Sequence, residues 1–295
     1  MLKGLLIYNK ALSSIKYQAI YDMYLNSANK LSINLQLMDN TKVLAIINDN
    51  NKEITNKLDC DFILYLDKDI ILANQLEDLG YRLYNKAKAI EICDHKYLTF
   101  LKLSNQDINM PLTILAPKLY PKYQERDLDV INVIEDNLNY PIVIKEAFGS
   151  FGSGVYLVNN QEELIAKRNE LLAIPHIYQE FIKSSYKVDY RIQVVNHQVV
   201  ASVKRESKDD FRANVSNGGK MTNVILDKKY HDLAIKVSKI LDLDFAGIDV
   251  LIGENNTPIL CEVNSNAHIK NLYDATNIDV SYLILKYIIE DKCFE

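Results

Sequence analysis

Short apolar runs alternate with helical patterns through the first 88 residues of the chain. Some apolar residues cluster in runs of strand length, and others recur at the three- and four-residue spacing of an amphipathic helix. The strand-like runs are Leu5–Tyr8, Val43–Ile47, Phe62–Leu66 and Tyr81–Tyr84, and the helical stretches are Tyr17–Leu31 and Ile70–Leu79. Because strands that alternate with helices form βαβ units, the pattern predicts an α/β domain with a mainly parallel sheet.

A helix is predicted from Asp94, as its N-cap, to Leu103, and the pattern changes from Tyr140 onward. Farther along the chain, most of the runs have strand length, and Asn196-His197 between two of them is a hairpin turn signal. The strands are Pro141–Lys145, Val155–Val158, Ile177–Ile182, Val188–Val195, Val199–Arg205, Ala246–Ile252 and Pro258–Val263, and the helices are Gln161–Leu172, Lys229–Leu241 and Ile278–Glu290. We predict an α+β fold with antiparallel sheets here, and domains at residues 1–88, 89–185 and 186–295.

Composition excludes several classes of protein. The 295 residues carry a formal net charge of -5, whereas a general nucleic-acid binder has a strongly basic face. No apolar stretch approaches the roughly 18 residues of a membrane span. The cysteines (Cys60, Cys93, Cys261 and Cys293) form no C-x-x-C pair, and no export signal is recognisable. We therefore expect a cytoplasmic protein with reduced thiols that binds neither nucleic acid nor membranes.

Glycine is scarce, with 9 residues in the chain, yet Gly149, Gly152 and Gly154 fall within a single short loop. The loop lies between two predicted strands, and Lys145 ends the first of them. Backbone N–H groups of such a loop can approach phosphate oxygens closely, and a neighbouring lysine can bind the same phosphates. The spacing fits neither a Walker loop nor the dinucleotide-binding fingerprint. A flexible hairpin loop beside a solvated lysine is the alternative interpretation.

Two carboxylates and an amide are predicted to meet on a hairpin near the C-terminal end of the chain. Asn255-Asn256 can supply the two turn residues with positive φ. With that turn, Asp249 lies directly opposite Glu262, and Asn264 shares the face of Glu262 because side chains alternate along a strand. The residues expected to point the other way, into the core, are Ile248, Val250, Cys261 and Val263.

An oxygen-only ligand set of this kind favours Mg²⁺ or Mn²⁺. Carboxylates directly opposite each other destabilise a sheet, and a divalent cation removes this repulsion while it also binds substrate phosphates. No cysteine or histidine cluster accompanies the set, which argues against zinc. The alternative is a solvated acidic face on which flexible side chains keep the charges apart.

Six segments between about residues 60 and 290 resemble the ATP-grasp superfamily, and within it the RimK-type α-L-glutamate ligases. The segments are DKDIILANQLEDLGYRLYN, EICDHKYLTFLKL, YPIVIKEAFGSFGSGVYLV, YQEFIKSSYKVDYRIQVV, DFRANVSNGGK and FAGIDVLIGENNTPILCEVNSNAH. The resemblance implies a pre-ATP-grasp α/β domain over residues 1–88, followed by an ATP-grasp central lobe (89–185) and a C-terminal lobe (186–295) that holds the metal.

The resemblance also implies roles for individual residues. It implies that Lys96 and Lys145 bind the nucleotide, that Gly149, Gly152 and Gly154 close over its phosphates, and that Glu180 and Phe181 contact adenine while Asp189 lies near the ribose. It implies that Arg212 and Asn214 contact the transferring phosphoryl group. The metal ligands that it implies are Asp249, Glu262 and Asn264.

Basic residues near the predicted phosphoryl site indicate an anionic substrate. The resemblance places Arg191 and Lys204 in a carboxylate pocket, and Arg205 follows Lys204 directly. With the hairpin turn given above, Asp189 is expected to face Lys204, and Arg191 to face Ser202. Arginine suits bidentate capture of a carboxylate, so we assign Arg191 or Arg205 to the substrate. Pairing of these residues with acids on neighbouring strands is the alternative.

The combined features predict an ATP- and metal-dependent ligase. It would join a carboxylate acceptor to an amine, such as the amino acid glutamate, through an acyl-phosphate. The alternatives are a ligase for a small metabolite or cofactor and a non-catalytic ATP-binding protein. The oligomeric state stays open, a homo-oligomer included.

Overall fold

Three large sheets and the helices packed on them make up the part of the chain that the computed structural model describes, namely residues 1–49, 51–120, 129–149, 152–208, 210–213 and 219–292. The first sheet is parallel, and the other two are antiparallel, which confirms the predicted fold class. Every helix in these residues is too short or too polar to cross a membrane. The division into domains at residues 88 and 185 stays a prediction.

The parallel sheet forms the N-terminal part of the fold. Its elements, with a small hairpin, are β1 (Lys3–Tyr8), α1 (Ile15–Lys30), β2 (Asn34–Asp39), β3 (Ala45–Ile47), β4 (Lys52–Ile54), β5 (Phe62–Leu66), α2 (Ile70–Asp78) and β6 (Leu83–Tyr84). The strand order is β2, β1, β5, β6, while β3 and β4 pair only with each other. The predicted strand Val43–Ile47 therefore lies outside the parallel sheet, and β2, which the pattern missed, pairs with β1.

An antiparallel sheet of four strands follows. Its segment contains α3 (Ala87–Asp94), α4 (Lys96–Leu103), β7 (Thr113–Leu115), α5 (Asp129–Asn137), β8 (Ile142–Glu146), β9 (Val155–Val158), α6 (Gln161–Leu171) and β10 (His176–Glu180), with strand order β7, β10, β8, β9. The prediction of Asp94 as an N-cap is wrong. Asp94 ends α3, the extended residue His95 separates the two helices, and the Asp94 carboxylate forms an ion pair with Lys68 instead.

The C-terminal sheet is antiparallel and has five strands. Its segment contains β11 (Val188–Val195), β12 (Gln198–Glu206), β13 (Lys220–Asn223), α7 (Lys228–Ile240), β14 (Phe245–Ile252), β15 (Pro258–Asn264), α8 (Ile269–Thr276) and α9 (Val280–Lys292), with strand order β13, β12, β11, β14, β15. One buried cluster joins this sheet to the N-terminal part, because Tyr24 of α1, Leu285 of α9 and Val203 of β12 belong to it. Helix α1 is thereby held beside the sheet.

The hairpin of β11 and β12 differs from its predicted register. Asn196 and His197 have positive φ, as expected of turn residues, but the pairing shifts by one residue between Gln193 and Val194. Beyond this bulge Asp189 lies opposite Arg205, and Arg191 lies opposite Val203. The predicted pairs, Asp189 with Lys204 and Arg191 with Ser202, are therefore wrong.

The hairpin of β14 and β15 contains the predicted cross-strand pair of carboxylates. Asp249 lies opposite Glu262, and Asn255 and Asn256 both have positive φ. A bulge next to Asp249 leaves Cys261 without a partner in the ladder. The expectation that Cys261 points into the core is wrong, because its sulfur lies 3.8 Å from Nζ of Lys145 in the other antiparallel sheet. A bulge therefore adds a residue to the face that carries Glu262.

Asp244, at the start of β14, is a buried carboxyl that makes stability depend on pH. It is 7% exposed, accepts a hydrogen bond from the Tyr287 hydroxyl at 2.8 Å and lies 3.8 Å from the Arg82 guanidinium. Burial raises its pKa from 3.8 to about 6, although Tyr287 and Arg82 oppose the change. Since the folded-state pKa exceeds the unfolded one, the contribution to stability is complete below pH 3.8 and is lost as the pH rises through about 6.

We therefore expect Asp244→Asn to gain stability relative to wild type between about pH 4 and pH 7, by about 3 kcal/mol. Other titrating groups are common to both proteins, so the difference between their unfolding free energies isolates Asp244. Urea unfolding of both proteins across this pH range measures it. Parallel curves would contradict the assignment.

Candidate active site

Two cavities meet at the ends of β14 and β15. A cleft of about 110 Å³ lies between the two antiparallel sheets, and a chamber of about 380 Å³ lies between the C-terminal sheet and α1. Residues that line both are Gly149, Gly152, Arg205, Asp249 and Glu262. A group in the cleft and a group in the chamber can therefore contact the same side chains.

Two buried lysines face the cleft. Lys145 of β8 and Lys96, the first residue of α4, are 8% and 7% exposed. Nζ of Lys96 lies 3.9 Å from Oε1 of Glu262. Burial lowers the pKa of Lys96 below its ordinary value, and Lys145 lowers it further, while Glu262 opposes both. Two cations held close together in a cleft suit a ligand with several negative charges.

The predicted adenine and ribose residues also line the cleft. Glu180 and Phe181 lie where β10 ends, and the apolar side chains of Val143 and Leu251 line the same cleft. Asp189 is the second residue of β11 and lines the cleft from the C-terminal sheet. The apolar residues were not singled out from the sequence, because an ordinary strand pattern accounts for them. The roles of Glu180, Phe181 and Asp189 stay predictions.

The described part of the glycine-rich loop lies against Arg212. Gly149, Gly152 and Gly154 all have positive φ, and a Cβ at Gly154 would come within 2.8 Å of the Glu146 side chain. Arg212 donates a hydrogen bond to the Gly152 carbonyl and forms an ion pair with Asp210 at 2.6 Å. Arg212 therefore faces the cleft beside the loop. The second predicted catalytic residue, Asn214, lies outside the described residues.

Four charged side chains, three of them buried, alternate in sign between the cleft and the chamber. Arg205 is 4% exposed and binds Asp189 through two hydrogen bonds of 2.6 Å, and it also lies 2.9 Å from Asp249. Arg191 binds the same Asp249 through two hydrogen bonds of 2.7 Å. Burial favours a raised pKa for Asp249, but the two guanidinium groups outweigh it and hold the pKa below its ordinary value. The charge of both arginines is thus largely neutralised within the protein.

Lys204 lies away from both cavities. It is opposite Tyr190, whose ring packs on Tyr230 of α7, and its ammonium forms an ion pair with Glu206 at 2.7 Å. Because Arg205 follows it in the strand, the two side chains point to opposite faces of the sheet. Of the three predicted substrate residues, the structure brings Arg191 and Arg205 into the chamber but not Lys204.

Asp249, Glu262 and Asn264 form an oxygen-rich group at the meeting point of the cavities. Asp249 and Glu262 are direct cross-strand partners, and the Asn264 amide lies 3.4 Å from the Asp249 carboxylate. Two carboxylates and an amide are hard ligands that fit Mg²⁺ or Mn²⁺. Glu262 and Asn264 line the chamber together, as expected of residues on one face.

Helix α1 and the ends of β1 and β5 supply a wall of the chamber that sequence reasoning missed. Tyr17, Ile20 and Tyr21 line it from α1, and Asn9 and Asp67 line it from the sheet. The three- and four-residue spacing in α1 indicates a common face, but only the folded chain shows that this face borders a cavity.

The sequence matches the model of the RimK-like ATP-grasp domain over residues 93–288. The chain is 31% identical over 290 residues to the uncharacterized protein MG012 of Mycoplasma genitalium, with 94% of this chain and 97% of that protein aligned. It is 34% identical over 216 residues to a probable alpha-L-glutamate ligase of Legionella pneumophila, with 72% of this chain and 68% of that protein aligned.

Solved structures show the same fold. D-alanine–D-alanine ligase from Bacillus anthracis, complexed with ATP, superposes with a TM-score of 0.72 at 16% identity and covers 98% of this chain and 97% of its own. The ATP-grasp ligase PsnB, complexed with a precursor variant, Mg and ADP, gives a TM-score of 0.70 at 12% identity and covers 99% of both chains. The family match extends over most of the chain and includes the cleft with its lysines, its glycine-rich loop and its acidic hairpin. The chain therefore belongs to the RimK-like ATP-grasp family and is a ligase that forms carbon–nitrogen bonds.

Proposed function

We propose that the protein is an ATP- and Mg²⁺-dependent (or Mn²⁺-dependent) ligase that activates a carboxylate as an acyl-phosphate and joins it to an amino acid such as glutamate. The observation that carries the proposal is the wall shared by the two cavities, which contains Asp249 and Glu262. A nucleotide in the cleft and a carboxylate in the chamber would meet at these side chains. Glutamate is proposed because the Legionella pneumophila relative is named a probable alpha-L-glutamate ligase.

Phosphoryl transfer needs positioning and charge neutralisation more than a protein nucleophile. Lys96 and Lys145 would hold the phosphates, and Arg212, beside the glycine-rich loop, would stabilise charge on the group in transfer. A divalent cation held by Asp249, Glu262 and Asn264 would neutralise phosphate charge at the same place. The carboxylate is a poor electrophile, and its phosphorylation supplies a leaving group for attack by the amine.

Arg191 is the proposed ligand of the substrate carboxylate. It lines the chamber and keeps two nitrogens on Asp249, so it is fixed in orientation by a bidentate contact. Arginine has further N–H donors in the same plane, which can bind an incoming carboxylate. Arg205, which is more deeply buried and binds two carboxylates, would keep Asp249 in place instead.

The test is to incubate the enzyme with Mg-ATP, pooled carboxylic acids and hydroxylamine as a surrogate amine. An acyl-phosphate is trapped as a hydroxamate, so hydroxamate and ADP should accumulate together, and mass spectrometry identifies the acid. AMP and pyrophosphate would indicate an adenylate instead and would overturn the mechanism. No nucleotide turnover with any acid would favour a non-catalytic ATP-binding protein.

Lys145→Met should raise the KM for ATP by about 10- to 100-fold, because a hydrogen bond to a charged group contributes about 1.5–3 kcal/mol. ADP release at varied ATP concentration measures the effect. Lys236→Met is the matched control, since Lys236 pairs with Asp107 on the surface and lines neither cavity. Equal KM values for the two variants would remove Lys145 from the nucleotide site.

A further inference from the structure

The parallel sheet has a topological switch point that opens into the chamber. The chain passes from β1 to β2 on one side of β1 and then crosses to β5 on the other side. In open sheets of this kind, ligands bind in the crevice beyond the carboxyl ends of the strands where the direction of winding reverses. Asn9 directly follows β1, Asp67 directly follows β5, and both line the chamber. The N-terminal sheet therefore contributes polar groups to the substrate cavity.

Asp67 is held in a fixed orientation by neutral donors. Its carboxylate accepts hydrogen bonds from the side-chain amides of Asn9 at 3.0 Å and Asn40 at 2.9 Å, and from the backbone N–H of Lys68 at 2.7 Å. It is 5% exposed. Since none of these donors carries a charge, the negative charge of Asp67 stays available to a cation that enters the chamber.

The other described carboxylates that line the chamber are each paired with a cation. Asp94 pairs with Lys68, Glu262 lies 3.9 Å from Lys96, and Asp249 binds Arg191 and Arg205. Asp67 differs from them in that no described lysine or arginine forms an ion pair with it. A cationic group of a ligand would supply the missing counter-charge for a buried carboxylate.

Asp67 lines the same chamber as Glu262 and Asn264 of the predicted reaction centre. The side-chain amide of Asn266 donates a hydrogen bond of 2.8 Å to the carbonyl of Leu66, the residue before Asp67. Asn266 is two residues beyond Asn264, which ends β15. This bond ties the carboxyl end of β5 to the strand that carries the proposed metal ligands.

We propose that Asp67 binds the ammonium group of the amino-acid amine and accepts one of its protons. The neutral amine then attacks the activated carboxyl carbon, so that the C–N bond forms as the C–O bond to phosphate breaks and phosphate leaves. The inference rests on the proposed function, because an amino acid reaches such a site as an ammonium ion while the carboxylate substrate is an anion. The inference assigns the carboxylate substrate to Arg191 and the amine to the switch point of the parallel sheet, where Asp67 lies. Asp67 would then determine specificity for a charged amine without contacting ATP.

Hydroxylamine provides the test, because it is uncharged at neutral pH and can attack the acyl-phosphate without an ammonium site. Wild type and Asp67→Asn receive Mg-ATP, pooled carboxylic acids and either hydroxylamine or an amino-acid mixture, and mass spectrometry quantifies hydroxamates and amides. We expect Asp67→Asn to keep hydroxamate formation and the KM for ATP, but to lose amide formation by about 10- to 100-fold at low amine concentration, with recovery at high concentration.

Asp59→Asn is the matched control, because Asp59 is an exposed carboxylate of the same sheet region that pairs with Lys3. It should keep both products. Asp67→Ser is a second variant in case Asp67→Asn does not fold. Its small hydroxyl group can accept a hydrogen bond from a neighbouring side-chain amide and can also donate one. Retained hydroxamate formation reports an intact fold in either variant.

The inference would be overturned by unchanged amide formation in both Asp67 variants, by equal loss of hydroxamate and amide, or by a wild-type enzyme that forms hydroxamate but no amide with any amino acid. A loss of amide formation in Asp59→Asn as large as that in Asp67→Asn would also overturn it, because the effect would not be local. A wild-type enzyme that forms neither ADP nor hydroxamate would instead refute the proposed function, and this inference with it.

Discussion

Glu262→Gln should lower turnover at saturating ATP by about 10³-fold while the fold stays intact, because it removes a charge that acts where phosphoryl charge develops. The substitution keeps the shape of the side chain. It also removes one of two carboxylates that lie directly opposite each other, which relieves repulsion in the sheet. Lys96 loses a partner at 3.9 Å, but the Glu262 side chain is 35% exposed and water can take its place.

ADP release at increasing Mg²⁺ concentration measures this effect, and urea unfolding checks the fold. Glu206→Gln is the control, because Glu206 lies in the same sheet and pairs with Lys204 away from both cavities. Wild-type turnover in Glu262→Gln, with an unchanged Mg²⁺ dependence, would show that the carboxylates of the hairpin of β14 and β15 form a solvated acidic surface and not a metal site.

The sequence predicted the central elements closely because their patterns are unambiguous. Phe62–Leu66 is a continuous apolar run, and the structure buries all of it in a parallel sheet. Val188–Val195 and Val155–Val158 were also predicted with the bounds that the structure has. Strand β2 was missed because it is an edge strand with exposed polar residues, and its sequence NLQLMD has only a short alternation. An edge strand is stabilised by pairing with one neighbouring strand, and its own sequence pattern carries no information about that neighbour.

Bulges limited the prediction of the site. Asp249 was placed opposite Glu262 correctly because the bulge of that hairpin lies between this pair and the turn, where a longer turn offsets it. The bulge near Gln193 had no such compensation, so every pair beyond it moved by one residue. A bulge has no reliable signal in sequence because packing on both flanks decides where the extra residue is placed. The one extra residue in this bulge is the reason why Arg205, and not the predicted Lys204, lies opposite Asp189.

The chamber could not be predicted from the sequence for a different reason. Its walls come from α1, the carboxyl ends of β1 and β5, and the end of β15, which lie far apart in the chain. Asp67 begins one of the segments that resemble the family, but its local sequence indicates no role for it. Its position depends on strand order in the parallel sheet, and that order depends on β2, which the pattern missed.

Arg205→Met should lower the free energy of unfolding by about 3–5 kcal/mol, because it leaves the buried carboxylate of Asp189 without its ion-pair partner, whereas Asp249 keeps Arg191. Arg205 binds Asp189 through two hydrogen bonds and also contacts Asp249, and all three residues are less than a tenth exposed. Methionine keeps most of the side-chain volume, so the loss reports the charge and not a cavity. Urea unfolding without nucleotide measures it.

Lys204→Met is the matched control, one residue away on the opposite face, and we expect it to change stability by less than about 0.5 kcal/mol. Adding Asp189→Leu to Arg205→Met should restore part of the loss, because a buried ion pair replaced by apolar side chains of similar volume is often neutral. If Lys204→Met were the more destabilising variant, Asp189 would face Lys204, and the unbulged register would be correct. The bulge near Gln193 is thus tested by the energetic difference between two adjacent basic residues.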